Sequence, residues 1–110
     1  MGSLRPADEF KGEGLDFMNY LVVDGRSEVR DALCYALLSF GIKGLPASDR
    51  RQALETLKTQ SDVEGAIIDI DSRETEGRQL IRQIRDSEAT RRLKIIVHTI
   101  QSSKEPVVRM

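Results

Sequence analysis

With 110 residues, of which 39% are hydrophobic, the chain suits one domain with a modest core. Its net charge of −1 predicts no direct nucleic-acid binding, and the absence of a long apolar run predicts no membrane contact. The single cysteine, Cys34, excludes an internal disulfide and the usual zinc spacings, and it agrees with a cytoplasmic location. Residues 1–17 lack a sustained hydrophobic period. We interpret them as an N-terminal arm or as residues added in cloning, which leaves 18–110 as the domain.

The first half of the domain alternates strand-like and helix-like patterns. β-Branched runs that stop at polar turns are typical of strands, and apolar residues at helical spacing are typical of helices packed on a sheet. Pro46 lacks a main-chain donor, so we expect the second strand at an edge of the sheet. Phe40 is expected on the buried face of the first helix. The pattern predicts strands over 20–23 and 43–47, a helix capped by Ser27 and running to about Phe40, and a helix from Asp49 to about Thr59.

The second half continues the alternation around the most apolar strand of the chain. Residues 65–70 form a nearly continuous apolar run, as expected for a strand covered on both faces, and residues 94–99 form another. A helix is predicted over 78–87, where apolar residues again recur at helical spacing. Four strands alternating with helices favour an α/β fold, with a doubly wound parallel sheet and right-handed crossovers.

Three candidate functional residues follow from this order: Asp24, Asp69 and Thr99. Each falls at the carboxyl end of a predicted strand, which is where parallel sheets bind ligands. Carboxylate oxygens suit Mg²⁺, and a carboxylate can act as a nucleophile toward a phosphoryl group. An Asp at a strand end is more often a turn former. Asp69, however, interrupts an apolar strand, where an unpaired carboxylate would cost several kcal/mol, so it calls for a partner or a metal.

Together these residues resemble the receiver domains of bacterial response regulators. Such domains carry an acid at the end of the first strand, the phosphoacceptor on the third, a switch Thr or Ser on the fourth, and a Gly eight positions after the acceptor, often preceded by an acid. The separations between these positions also match the family pattern. The residues that carry the resemblance are Leu21-Val-Val-Asp24, Ile67-Ile-Asp-Ile70, Glu76-Gly77 and Ile95-Ile-Val-His-Thr99.

The resemblance implies a flavodoxin-like sheet with strand order 2-1-3-4 and a role in two-component signalling rather than enzyme activity. Asp69 would accept a phosphoryl group from a histidine kinase or a phosphotransfer protein. Thr99 would supply the switch hydroxyl. Asp24, Asp69 and the main-chain carbonyl of Asp71 would bind Mg²⁺.

The sequence departs from the family pattern at several positions. Gly25 stands where a second acid is usual, so we expect weak Mg²⁺ binding, and Ile100 replaces a small residue beside the phosphoryl site. The family's fifth strand, with its Lys, and its last helix are missing, since residues 105–110 are expected to begin the fourth helix. The fourth strand would then be an edge that favours a homodimer, through that edge or through segment exchange; the alternative is that the chain is a fragment of a longer protein whose remainder covers this edge.

These departures support an alternative: a degenerate pseudo-receiver that acts as a phosphorylation-independent interaction or dimerisation module. A small enzyme or nucleotide binder on the same fold is disfavoured, because no glycine-rich phosphate loop follows the first strand. We expect His98 to be a packing or surface residue that points away from the face of Thr99.

Overall fold

The computed structural model describes residues 17–73, 75–100 and 106–109, the last four as main chain only. Residues 1–16 of the expected arm and the side chain of Ile100 lie outside the described part of the chain. The elements in chain order are β1 Met18–Val23, α1 Ser27–Leu38, β2 Ile42–Ala47, α2 Arg50–Thr59, β3 Val63–Asp69, α3 Gly77–Asp86, β4 Lys94–Ile100 and β5 Pro106–Arg109.

The strands form one sheet in the order β2-β1-β3-β4-β5. The first four are parallel, which confirms the predicted order 2-1-3-4 and the edge position of the strand that contains Pro46. The chain steps one way across the sheet from β1 to β2 and the opposite way from β2 to β3 and β4. Right-handed crossovers therefore place α1 on one face and α2 and α3 on the other.

The main core lies between the sheet and the pair α2 and α3. It is built from alternate residues of β1 and β3 together with apolar residues of the two helices, as the period of two along a strand requires. Because both faces of β1 and β3 are covered, these strands are apolar at nearly every position. The core residues are Leu21, Val23, Ala47, Ala53, Ala66, Ile68, Leu80, Ile84 and Leu93.

Helix α1 is the least buried of the helices. It packs mainly against β2, and none of its residues is fully buried. The helix ends at Leu38, and Gly41, with φ of 75°, completes the turn into β2. Phe40 therefore leaves the helix and is 77% exposed, so the expectation that it lies on the buried face is wrong. Among the described helices, none combines the length and apolarity that crossing a membrane requires.

The far side of β4 differs from the prediction. Residues 106–109, expected in the first turn of a helix, form β5 instead, which pairs antiparallel with Val97–Ile100. Pro106, the first residue of this strand, lies at a position where a missing main-chain donor is tolerated. The expectation that β4 forms an open edge is therefore wrong over 97–100, since the chain's own hairpin supplies the neighbouring strand.

Candidate functional site

Two carboxylates lie side by side at the carboxyl edge of the sheet. Val23 is the register partner of Ile68, so Asp24 and Asp69, which follow them, occupy neighbouring positions on β1 and β3. Both side chains are essentially out of solvent, with Asp24 0% and Asp69 1% exposed. Two buried carboxyl groups at neighbouring positions need hydrogen bonds or a nearby positive charge.

Arg26 supplies that compensation at Asp24. Its main-chain N–H donates to Oδ1 of Asp24 at 2.8 Å, which closes a turn of the Asx type after β1. Its guanidinium then donates to both carboxylate oxygens, from Nε to Oδ1 at 2.9 Å and from Nη2 to Oδ2 at 2.8 Å. Arg26 is the N-cap of α1, although its side chain makes no capping bond, so the predicted cap Ser27 is instead the first helical residue.

This contact controls the ionisation of Asp24. Burial by itself would raise the pKa of Asp24, but hydrogen bonds from the side chain and main chain of Arg26, with the electrostatic effects of Arg26 and His98, outweigh it and hold that pKa below its usual value. The hydrogen bond to Asp24 likewise raises the pKa of Arg26. Asp24 is therefore an anion held in a bidentate pair, the geometry to which an arginine fork is suited.

Asp69 is only partly satisfied. Its Oδ1 accepts a hydrogen bond from the main-chain N–H of Asp71 at 3.0 Å, which fixes the carboxylate plane. Its Oδ2 is buried and has no hydrogen-bond partner within the part of the chain that the structure describes. The nearest described positive charge is Nη2 of Arg26 at 3.8 Å, too far for a hydrogen bond but close enough for electrostatic attraction. One oxygen of Asp69 is thus held by a hydrogen bond, while the other is buried and accepts none that the structure describes.

The loop after Asp69 is fastened to the end of β3. The hydroxyl of Thr75, fully buried, donates to the main-chain oxygen of Asp69 at 2.8 Å. Gly77 begins α3 so close to this oxygen that a Cβ would lie well inside 3.0 Å of it. This close approach is a physical reason for a Gly eight residues after Asp69. Glu76, in the left-handed region with φ of 47°, places its carboxylate 2.7 Å from Nε of Arg50.

The structure places His98, and not Thr99, in line with the two carboxylates. His98 is the register partner of Asp69, is 6% exposed, and has its Nε2 3.2 Å from Oδ2 of Asp24. Of the two positions expected for His98, the surface one is wrong and the buried one is right, and the buried ring lies against Asp24. Thr99 is buried, and among the described residues its Oγ1 has no hydrogen-bond partner, neither Asp24 nor Asp69 included. Its role as the switch hydroxyl stays a prediction.

The oxygen donors of the site fit Mg²⁺, the metal that the resemblance implies, only in part. The unpartnered Oδ2 of Asp69 suits a hard cation, which prefers oxygen ligands. Asp24 does not fit in this arrangement, because Arg26 already occupies both of its carboxylate oxygens. Within the described residues, no three His, Cys, Asp or Glu side chains are grouped so as to hold a metal. The site as arranged therefore does not fit a Mg²⁺ ion bound directly to Asp24.

Arg26 and His98 are the functional candidates that the sequence did not reveal. An Asx turn brings residue i+2 back onto the carboxylate of residue i, so Asp24-Gly-Arg26 carried a usable signal for the first of them. The second depended on the register between β3 and β4, which the sequence pattern alone does not specify.

Comparison with solved structures returns receiver proteins. A response regulator receiver protein from Pseudomonas putida is 34% identical, and the match covers 78% of this chain and 70% of that one with a TM-score of 0.70. A response regulator from Thermotoga maritima, solved in complex with Mg²⁺-BeF, is 25% identical over 79% of this chain and 73% of that one, with a TM-score of 0.69. A chemotaxis response regulator from Vibrio cholerae, 20% identical over 78% and 71% of the two chains, supports the fold with a TM-score of 0.70.

Neither family models nor curated proteins give a match to the sequence. The structural likeness is nevertheless accompanied by sequence identity in the Pseudomonas putida protein, over most of both chains. The parallel order 2-1-3-4 and the buried acids at the ends of β1 and β3 agree with it. The chain belongs to the response regulator receiver domain family.

Proposed function

We propose that Asp69 is the phosphoacceptor of this receiver domain. The observation that carries the proposal is the asymmetry of its carboxylate, in which Oδ1 is fixed by the N–H of Asp71 and the buried Oδ2 has no hydrogen-bond partner among the described residues. A nucleophilic oxygen must be held in position and also be free of a competing hydrogen bond. Asp69 meets both conditions, whereas both carboxylate oxygens of Asp24 accept hydrogen bonds from Arg26.

The reaction proposed is transfer from a phosphohistidine. Oδ2 of Asp69 attacks phosphorus, a P–O bond forms while the P–N bond to the donor imidazole breaks, and the imidazole leaves with the bonding electron pair. The product on this chain is an aspartyl phosphate. Arg26 stands 3.8 Å from the attacking oxygen and would offset part of the added negative charge.

The partner in this proposal is a histidine kinase or a phosphotransfer protein, the location is the cytoplasm, and the chain is a signalling module rather than an enzyme. Mg²⁺ belongs to the proposal as well, and its support is the complex of the Thermotoga maritima regulator with Mg²⁺-BeF. The metal would neutralise charge on the acid and on the incoming phosphoryl group. Its binding here is expected to be weak.

The test is phosphoryl uptake from acetyl phosphate in the presence of Mg²⁺, followed by intact-mass spectrometry. The unmodified chain should gain one phosphoryl group that alkaline hydroxylamine removes, as it removes acyl phosphates. Asp69→Asn should gain none. Asp86→Asn, which changes an exposed acid at the end of α3, serves as the matched control and should behave as the unmodified chain does. Uptake that persists in Asp69→Asn would remove the proposal.

A pseudo-receiver is the second candidate, and the contacts of Arg26 favour it. The Arg26 guanidinium balances the charge of the Asp24 carboxylate without the need for a metal, and Gly25 stands where receivers usually have a second acid. On this reading, neither acetyl phosphate nor a cognate kinase would phosphorylate the chain, and Asp69→Asn would leave binding to a partner protein unchanged. The uptake experiment separates the two candidates directly.

Homodimerisation stays a prediction, and of its two expected routes segment exchange is the one that remains over residues 97–100. Since β5 pairs with β4 over 97–100, an open edge no longer provides the reason for dimerisation there. Segment exchange of β5 between two copies would preserve the same pairing. Sedimentation should detect a concentration-dependent dimer if the exchange occurs, and a monomer at every concentration would exclude it.

A further inference from the structure

Among the described residues, Arg26 is the permanently charged cation at the two carboxylates. Arg26 makes two guanidinium hydrogen bonds to the fully buried Asp24 and lies 3.8 Å from the unpartnered Oδ2 of Asp69. The other described basic group beside the Asp24 carboxylate is His98, whose Nε2 lies 3.2 Å from Oδ2. Buried carboxylates of this kind require a counter-charge, and here the protein supplies it from residue 26.

A divalent metal would need the same oxygens. Mg²⁺ binds carboxylate oxygens directly at about 2.0–2.1 Å in a near-ideal octahedron. In the bidentate pair, the guanidinium uses one hydrogen bond on each oxygen of Asp24, and the main-chain N–H of Arg26 adds another on Oδ1. The guanidinium and a directly bound Mg²⁺ would also repel each other at this distance, so the two cations exclude one another.

The Arg26 side chain has a way out of the pocket. It is 40% exposed, in contrast to the carboxylates that it contacts. The main chain beneath it is held independently, because Nη1 of Arg30, one turn further along α1, donates to the main-chain oxygen of Asp24 at 2.9 Å. Rotation of one side chain therefore opens the pocket, while the turn after β1 and the start of α1 stay in place.

We propose that Arg26 is a tethered counter-ion that competes with Mg²⁺ for Asp24, so that the metal binds only when this side chain swings out. The inference rests on the proposed function only in taking the pocket as the place where a cation acts. In the closed state Arg26 is bound to Asp24, and in the open state its side chain has rotated away. Only open molecules bind the metal, so the apparent Mg²⁺ affinity is the affinity of the open state multiplied by the fraction of molecules that are open. Metal loading and the position of Arg26 thus become one coupled equilibrium.

The first experiment measures Mg²⁺ binding by calorimetry or amide shifts with no phosphoryl donor present. Arg26→Gln should bind Mg²⁺ about tenfold or more tightly than the unmodified chain, because the closed state is lost. Arg30→Gln is the matched control, since it removes the same charge one turn away yet contacts only the main chain of Asp24. Equal gains in both variants, or no gain in Arg26→Gln, would overturn the proposal.

A second measurement needs no variant. In the unmodified, labelled chain, the Nε–H signal of Arg26 should move along the same Mg²⁺ titration curve as the amide of Asp69. An Nε–H signal that stays fixed while the Asp69 amide reaches saturation would overturn the proposal even if Arg26→Gln does not fold. Tighter metal binding by Arg26→Gln, combined with no phosphoryl uptake on Asp69, would sink the phosphoacceptor proposal and leave this one standing.

Discussion

Substitution of Gly77 by alanine tests how the end of β3 is held. Gly77 is the first residue of α3, and its backbone lies against the main-chain oxygen of Asp69. A Cβ added there would lie well inside 3.0 Å of that oxygen, a distance that real Cβ atoms essentially never show, and 3.0 Å from Cα of Ile70. Its neighbours are main-chain atoms, so no side chain can rotate away. Either α3 or the strand end must shift.

Two opposing effects determine how much Gly77→Ala changes the free energy of unfolding. Overpacking of this kind costs about 1–3 kcal/mol. Replacing Gly by Ala in a helix normally stabilises by about 0.5–1 kcal/mol, and at the first helical position the gain should be smaller. The clash outweighs it, so Gly77→Ala should lose about 1–2 kcal/mol of unfolding free energy. For a domain of this size that corresponds to a fall in Tm of about 5–15 °C.

Urea unfolding followed by circular dichroism gives the stability, and amide spectra show where the structure moves. Gly41→Ala is the control: its φ of 75° strains an alanine, but no atom lies within 4 Å of the added methyl. That variant should lose about 1–2 kcal/mol through the left-handed backbone alone. Only Gly77→Ala should also shift the amides of Asp69 and Asp71. Wild-type stability and unshifted amides in Gly77→Ala would refute the reasoning.

Three further predictions concern the surroundings of the site. Thr75→Val leaves the main-chain oxygen of Asp69 without its buried donor, so the free energy of unfolding in urea should fall by about 1–3 kcal/mol. Thr59→Val removes a hydroxyl bond at an exposed helix end and should leave that free energy almost unchanged. The pKa of Asp24 is lowered in the folded chain, so its ionised carboxylate contributes fully to the unfolding free energy at neutral pH. That contribution disappears as the pH falls below the ordinary pKa of 3.8 and through the lowered one. Asp24→Asn should therefore make the unfolding free energy depend less steeply on pH between pH 7 and pH 3, and an unchanged slope would contradict this. Burial, together with the negative charge of Asp31, raises the pKa of the Cys34 thiol. Iodoacetamide at pH 8 should therefore alkylate Cys34 more slowly in the folded chain than in the urea-unfolded chain, as measured by mass spectrometry. Equal rates would contradict this.

Most of the fold could be predicted from the hydrophobic pattern. β1 and β3 are apolar at nearly every position because helices cover both of their faces, and such runs are easily recognised. Asp49, where the second helix was predicted to begin, caps α2: its side chain accepts from the N–H of Gln52 at 2.8 Å, and the side chain of Gln52 accepts in return from the N–H of Ser48 at 2.9 Å. These features are local in sequence, so a local pattern is enough to find them.

The sequence predictions that were wrong concern residues whose conformation or position depends on contacts with distant parts of the chain. Pro106 is compatible with a helical first turn, and residues 106–109 become a strand because the unpaired edge of β4 is available to them. Phe40 fits the helical period but lies beyond the end of α1 at Leu38. His98 gives no sign of its position until β4 is placed in register with β3.

By itself, the sequence determined the alternation of strands and helices, the placement of Asp24 and Asp69 at strand ends, and the resemblance to receivers, because each depends on the spacing of neighbouring residues. The tertiary structure alone decided which groups surround the two carboxylates. Contacts between strands depend on register, and the direction of a long side chain such as that of Arg26 depends on the charge it meets. Those are properties of the assembled sheet, since an isolated turn or strand leaves a carboxylate to water.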